Sequence, residues 1–548
     1  MTARATFAFL QRLCGSVLSG GFAHMNAALA GPTLSVLLAL ALGGCASLPA
    51  GVQRPLSEAR TDVAATRLAA IAAASTPDDA GDLSGFRLLP VGDQAFDARI
   101  ALARRADKTL DVQYYLIAHD ASGLQFLREL RDAAERGVRV RVLVDDLYAA
   151  GQDALLAGLA AHANVEVRLF NPLPVRGGSF GARVVLSMHE FSRINRRMHN
   201  KLFVADNVFA VSGGRNVADE YFGRSEPANF IDMDVLSSGP VVRELSAVFD
   251  RYWNSEHAYP VQSLVGAGFD AALARRRFDE KVGEVPAAAA PAAVDSLGRS
   301  AVGVQLAGGF VEQHFANARV LADAPNKVDD DASRTVRADD TVADDTLDLI
   351  GLASSEVLVA SPYFVPGERG LEVMRQALAR NVRVSVMTNS LSTTDEPLVH
   401  FGYARHRGEL LKMGVSLYEL MPTAGAKAAE STLEFHGSLG RLHAKLAVVD
   451  SRWLFIGSMN MDRRSARWNT ESGLVIDSPA LADEVASLLA RERLPGSYRL
   501  RMAGDQKRIE WVAGAGQSEI VRRSEPDAKP GQQLRLWITS RFVSEEML

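Results

Sequence analysis

Two short stretches of this 548-residue chain carry histidine, lysine and asparagine at the same spacing. The first reads His199-Asn-Lys201-Leu-Phe-Val-Ala-Asp206 and is followed by Gly213-Gly214-Arg215-Asn216. The second reads His443-Ala-Lys445-Leu-Ala-Val-Val-Asp450, then Gly457-Ser458-Met459-Asn460. At average residue usage such a match is expected roughly once in ten million start positions. One copy offers an imidazole, a fixed positive charge and amide donors, which suits an anionic oxygen but leaves proton transfer without a partner. Displacement at a phosphodiester needs a neutral imidazole to attack and a protonated one to give the leaving oxygen its proton. Two copies facing each other across a pseudo-two-fold axis supply both, with Lys201, Lys445, Asn216 and Asn460 holding the charged oxygens. The pattern calls for no cofactor, and a metal is disfavoured because each copy sets a lysine ammonium beside its one histidine.

The elements that must position these groups also repeat. Leu110 to Ile117 is rich in β-branched and aromatic residues, Gly123 to Arg136 has apolar residues at helical spacing, and Val138 to Val144 alternates as a strand. Strand, helix and strand in so short a length imply a parallel pair with a right-handed crossover. The unit returns as Val357 to Val365, Gly370 to Arg380 and Val382 to Met387. Val382 follows Val138 by 244 residues, and His443 follows His199 by the same 244. That agreement argues for an internal duplication.

Within each copy the histidine and lysine share one strand face, and Asp206-Asn207 reads as a two-residue hairpin turn. Asp206, and by the same logic Asp450, therefore belongs to the turn. The returning strand brings Gly213 and Gly214 opposite His199, where small side chains would leave backbone N–H groups open to a phosphate oxygen. Each histidine also needs its second ring nitrogen oriented. Asp232 and Glu471, lying downstream of their respective histidines at comparable distances, are the candidates. Arg193, Arg196 and Arg197 read either as a solvated basic face or as guides for an anionic headgroup. Tyr114, Tyr115, Tyr363 and Phe364 at strand ends read first as core, with a lipid pocket as the alternative.

Composition bounds the rest. With 47% hydrophobic and 23% charged residues the body is that of a globular protein, and a net charge of −5 gives no overall pull toward nucleic acid. The only cysteines, Cys14 and Cys45, lie near the N-terminus, which excludes a thiol nucleophile in the body. No Lys, Arg, Asp or Glu occurs from Leu13 to Gln53, and the apolar run Leu34 to Leu42 has signal-peptide length. It ends in Leu42-Gly43-Gly44-Cys45, which resembles the lipobox of bacterial lipoproteins, with an uncleaved anchor as the alternative. A lipidated Cys45 would place the body on the periplasmic side, and Ala46 beside it resembles the outer-membrane sorting choice. The expected organisation is 1–45 signal peptide, 46–82 tether, 83–282 first lobe, 283–345 linker and surface insertion, 346–500 second lobe and 501–548 C-terminal tail.

The doubled His-x-Lys-x4-Asp motif resembles that of the phospholipase D superfamily over roughly residues 84 to 500. The resemblance implies an α/β fold of two similar α/β/α lobes with mixed, largely parallel sheets and a site at their interface. It implies a phosphohistidine intermediate, with His199 as nucleophile and His443 as acid/base. Lys201, Asn216, Lys445 and Asn460 would bind phosphate, and Asp232 and Glu471 would orient the histidines. Gly214 departs from the family's usual serine. Asn195-Arg-Arg-Met-His199, Ser361-Pro-Tyr-Phe-Val-Pro366, Asn389-Ser-Leu391 and Gly402-Tyr403 resemble the bacterial cardiolipin synthase branch. The implied reaction is phosphatidyl transfer between glycerophospholipids at a bacterial membrane, by a monomeric catalytic unit. The alternatives are hydrolysis to phosphatidic acid, and a metal-independent endonuclease, which the slightly acidic chain disfavours.

Overall fold

The computed structural model describes residues 47–527 except 150, 267, 287–288, 330–340, 423–438, 494–495 and 515. Cys14, the lipobox with Cys45 and the last 21 residues of the tail lie outside the described residues. Among the described residues no helix is long and apolar enough to cross a membrane.

The first lobe contains β1 (Ser84–Leu89), β2 (Thr109–Tyr114), β3 (Arg139–Asp145), β4 (Val165–Phe170), β5 (Leu202–Ala205), β6 (Phe209–Gly213), β7 (Ala228–Ile231), β8 (Asp234–Ser238) and β9 (Ala258–Pro260). Then comes β10 (His314–Ala322). The second lobe follows with β11 (Glu356–Ala360), β12 (Arg383–Asn389), β13 (Ser416–Leu420), β14 (Leu439–Leu442), β15 (Leu446–Val449), β16 (Trp453–Gly457), β17 (Ser472–Asp477), β18 (Ser497–Met502), β19 (Ile509–Ala513) and β20 (Ile520–Arg522). The 244-residue offset maps β3, β5 and β6 onto β12, β15 and β16 residue for residue.

In the first lobe the sheet runs β9-β4-β3-β2-β5-β6-β8-β1, and in the second β18-β13-β12-β11-β15-β16-β17. These two sheets are mixed, as expected, but within them the parallel pairs among the described residues are β2-β3-β4 and β11-β12-β13. The cause is the motif hairpin. Its first strand enters antiparallel beside β2, with Leu110 opposite Ala205, and the strands beyond it follow by antiparallel pairing.

The parallel unit forms where the sequence places it. Helix Ala121–Glu135 starts at Asp120, whose carboxylate accepts from Gly123 N, and buries Leu124, Phe126, Leu127 and Leu130. A Cβ at Gly123 would lie 1.8 Å from Ala118 O, so only glycine allows the helix to start this close to the strand end. β11 stops at Ala360 rather than running to Val365, because Pro362 cannot donate to a ladder.

Both motif hairpins turn through two left-handed residues, Asp206-Asn207 (φ 52° and 54°) and Asp450-Ser451 (φ 55° and 51°). The motif aspartates also clamp a neighbouring strand. Asp206 accepts from the backbone N–H of Asp107, Lys108 and Thr109, and Asp450 from those of Ser354, Ser355 and Glu356.

Two segments pack more tightly than their composition implied. The stretch read as a tether is strapped to the first lobe: Ser57 N donates to Asn254 Oδ1, Ala59 N to Asp250 Oδ2, and the Arg54 guanidinium stacks 4.2 Å from the Tyr259 ring centre. The stretch read as linker holds β10, which pairs with β1 through residues 314–316 and with β17 through residues 317–322, and so joins the sheets. The tail adds β19 and β20 beyond β18, anchored by Trp511 Nε1 donating to Glu419 Oε2. The lobes share apolar packing as well. Met198, Leu202 and Val204 lie in one buried cluster with Leu442, Leu446 and Ile456. At about 1.5–3 kcal/mol for each fully buried side chain, that packing favours the closed arrangement of the two halves.

Candidate active site

Each histidine sits just before its motif strand, on backbone that pairs across the lobes. His199 N donates to Thr470 O, and Thr470 N to Arg197 O. In the other direction β7 runs parallel to β14, and His443 N donates to Ile231 O. The register therefore lays His199 beside Glu471 and His443 beside Asp232. His199 Nδ1 lies 2.9 Å from Glu471 Oε2, and His443 Nδ1 lies 2.6 Å from Asp232 Oδ2. The two carboxylates are the residues expected, but each serves the histidine of the opposite half. Sequence proximity pointed to the same half because nothing in a linear spacing encodes the cross-lobe ladder.

With Nδ1 held, Nε2 of each ring is left for phosphorus or for the oxygen that leaves it. Both rings are buried, 8% and 5% exposed. Tyr115 packs edge-on against His199 at 5.0 Å between ring centres, and Tyr221 and Phe230 pack against His443 at 5.1 and 4.7 Å. Tyr114 and Phe364, in contrast, are fully buried core.

Burial dominates the electrostatics. It pushes His199 down to about 4 against the pull of Glu471, and it lowers His443, with Lys445 adding to the effect. Burial also brings Lys201 down to about 7 and Lys445 down to about 8. It opposes charge on Asp232 and Glu471 too. The facing imidazoles, with Lys445 and Lys201 respectively, outweigh that cost and hold both carboxyls below their ordinary range. Each ammonium is tied to the backbone of its own histidine, Lys201 Nζ to His199 O at 2.6 Å and Lys445 Nζ to His443 O at 2.5 Å. Lys201 feels Glu471, Lys445 and Asp232 together, which marks the two copies as one site. Such a cluster of two imidazoles and two ammonium groups suits a phosphodiester anion.

The glycines do something other than expose backbone. Gly214 N donates to Met233 O, Gly457 N to Lys445 O and Ser458 N to Ser472 O, so these N–H groups already have acceptors. A Cβ at Gly214 would lie 2.2 Å from Asp232 Oδ1, and one at Gly213 2.4 Å from Asp234 Oδ1. The small residues make room for the orienting carboxylate. In the second half Ser458 Oγ instead donates to Glu471 Oε2 at 2.5 Å. Asn216 Nδ2 donates to Tyr221 OH at 2.9 Å, while Oδ1 of both Asn216 and Asn460 is buried with no partner among the described residues.

The arginines before His199 are neither a solvated face nor free guides. Arg197 is fully buried against Asp145, Arg193 pairs with Glu190, and Arg196 donates to Asp329 O and lies over the Trp468 ring. Asp145, which no motif includes, holds the backbone next to His199. Its Oδ2 accepts from Met198 N at 2.9 Å, just as Asn389 Oδ1 accepts from Leu442 N at 2.9 Å, and the two lie 244 residues apart. Asp145 ends β3 and Asn389 ends β12, and that shared offset was the available signal.

The family model described as "Cardiolipin synthase, PLD-like domain" matches residues 100–253 and 346–492. Cardiolipin synthase C of Escherichia coli (strain K12) is 37% identical over 463 residues, covering 83% of this chain and 94% of that protein. The chain belongs to the phospholipase D superfamily, in its cardiolipin synthase branch. Cardiolipin synthase A of Pseudomonas fluorescens is 27% identical over 76% of this chain and 72% of its own length. A phosphatidylserine synthase from Haemophilus influenzae Rd KW20 shares the fold, with a TM-score of 0.52 at 13% identity, covering 85% of this chain and 98% of that one. The matched segments correspond to the two lobes, and the gap between them contains β10.

Proposed function

We propose that this protein is a phosphatidyltransferase that makes cardiolipin through a phosphohistidine intermediate. The observation that carries the reading is the pair of buried imidazoles, each oriented by a carboxylate of the other half and each flanked by a lysine. In the first step His199 Nε2 attacks phosphorus, the P–O bond to the leaving alcohol breaks, and the His443 imidazolium gives that oxygen its proton. In the second step the acceptor hydroxyl passes its proton to His443, its oxygen bonds to phosphorus, and the P–N bond breaks. Lys201, Lys445 and the amides of Asn460 and Asn216 balance charge on the non-bridging oxygens.

The acceptor assignment draws on the relatives named as cardiolipin synthases, because the same intermediate accepts either an alcohol or water. Purified protein incubated with phosphatidylglycerol and phosphatidylethanolamine tests it. A diphosphatidyl product supports the reading, and phosphatidic acid alone overturns it in favour of a hydrolase. Degradation of plasmid DNA without added metal would favour the nuclease reading. We further propose a lipoprotein anchored at Cys45 on the periplasmic side of the membrane. Incorporation of labelled palmitate, lost in Cys45→Ser, supports this, and equal labelling of both proteins overturns it.

A further inference from the structure

Each orienting carboxylate depends on how its own backbone is held, and the two halves hold it by opposite chemistry. Arg215, 1% exposed, gathers carbonyl oxygens: Nη1 donates to Leu89 O (2.8 Å), and Nη2 to Pro90 O (2.7 Å) and Asp232 O (2.5 Å). Asp234, 3.4 Å away, answers its charge. In the second half Met459 takes the place of Arg215, and Asp323 follows β10 as Pro90 follows β1. Asp323, also 1% exposed, gathers donors: Oδ2 accepts from Glu471 N (2.8 Å) and Lys327 Nζ (2.7 Å), and Oδ1 from Val342 N (3.0 Å). Its own N–H donates to Glu471 O at 3.0 Å, and Lys327 Nζ also reaches Ser465 O at 2.9 Å.

We propose that Arg215 and Asp323, the latter with Lys327, are positioning residues that separately set the two histidines. Arg215 fixes the backbone of Asp232, so it acts on His443 of the opposite half. Asp323 grips Glu471 at both N–H and C=O, so it acts on His199. The proposal rests on the two-histidine reading of the site. A bland role, stapling strand ends, would lower stability without distinguishing one histidine from the other. Separate action is the distinguishing mark. A displaced carboxylate stabilises its imidazolium less, so only the histidine it faces should lose affinity for the proton. The other charged or titratable groups acting on His199 are Lys201, Lys445 and Tyr115, and on His443 they are Lys445, Asp395 and Tyr221.

The test is titration of isotope-labelled His199 and His443 by NMR in the full chain, alongside the pH–rate profile. Asp323→Asn and the milder Lys327→Met are expected to lower the His199 midpoint and leave His443 in place. Arg215→Lys is expected to lower His443 and leave His199. Each should cut kcat on the order of 10²-fold, the scale of a misplaced catalytic group. Both histidines shifting together, or neither shifting while loss of folded protein accounts for the lost rate, would overturn the proposal. Separate shifts with an unchanged rate would uphold the positioning and sink the two-histidine chemistry beneath it.

Discussion

The two halves repeat the groups that face the phosphate and diverge in what holds those groups. Histidine, lysine and asparagine recur at a 244-residue offset, and so do the left-handed turns that end both motif strands. Around them, Asp232 is matched by Glu471, Gly214 by Ser458, Asp145 by Asn389, and Arg215 by Met459 with Asp323. A longer carboxylate in the second half meets a serine hydroxyl, and a shorter one in the first half meets a glycine that leaves it room. Transferring charge at phosphorus constrains the first group of residues strictly, whereas several arrangements can aim a carboxylate at Nδ1. Divergence has run where the physics left a choice.

The largest losses are expected at the histidines. His199→Ala and His443→Ala are each expected to lower kcat by on the order of 10⁴-fold, because each removes a group required in both steps. Assay of phosphatidyl transfer checks this, and one variant keeping a tenth of the activity would mean the halves are not partners. Next come the exchanged carboxylates, Glu471→Gln and Asp232→Asn, expected to cost about 10²-fold each. They also separate on the pH axis. The rate needs His199 neutral and His443 protonated, so kcat/KM falls in acid as His199 gains a proton and in alkali as His443 loses one. Burial sets the acid limb near 4 and lowers the alkaline limb, which places the optimum on the acid side of neutrality. Glu471→Gln should carry the acid limb lower still, and Asp232→Asn the alkaline limb.

Smaller effects sharpen the contrast between glycine and serine. Gly214→Ser puts a Cβ 2.2 Å from Asp232 Oδ1 and should lower kcat about tenfold by displacing that carboxylate. Ser458→Ala removes one hydrogen bond to Glu471, worth about 1 kcal/mol, and should cost only a few-fold. The reverse ranking, read from kcat of the two purified variants, would contradict the packing described. The lysines give the smallest effect. Lys201 at about 7 and Lys445 at about 8 must both carry a proton to hold an anion. Affinity for a phosphate analogue should therefore fall several-fold from pH 6.5 to 7.5, with proton uptake on binding at pH 7.5 by calorimetry. An affinity flat across that range would show the ammonium groups to be bystanders.

Much of this arrangement is legible in the sequence. The strand–helix–strand units, the hairpin turns at Asp206 and Asp450, and the residues Asp232 and Glu471 follow from periodicity, turn chemistry and repetition. The exchange of those carboxylates did not, because it depends on β7 pairing with β14 and Met198 bridging to Thr470 across hundreds of residues. β10 was hidden for a related reason. It lies in a stretch flanked by alanine-rich and acidic sequence, and its pattern of burial is weak because it joins two sheet edges instead of filling a core. Arg197 shows a limit of charge counting: next to Arg196 it reads as surface, yet a carboxylate 52 positions earlier takes it fully inside.

The proposed chemistry turns on one covalent step taken by the first half and completed by the second. Acid-quenched turnover with a labelled phosphatidyl donor, followed by peptide mapping in the wild-type chain, tests that step directly. The expected result is label on the peptide bearing His199, absent in His199→Ala and never on His443. Label on His443, or rapid product formation with no labelled histidine at any time point, would contradict it.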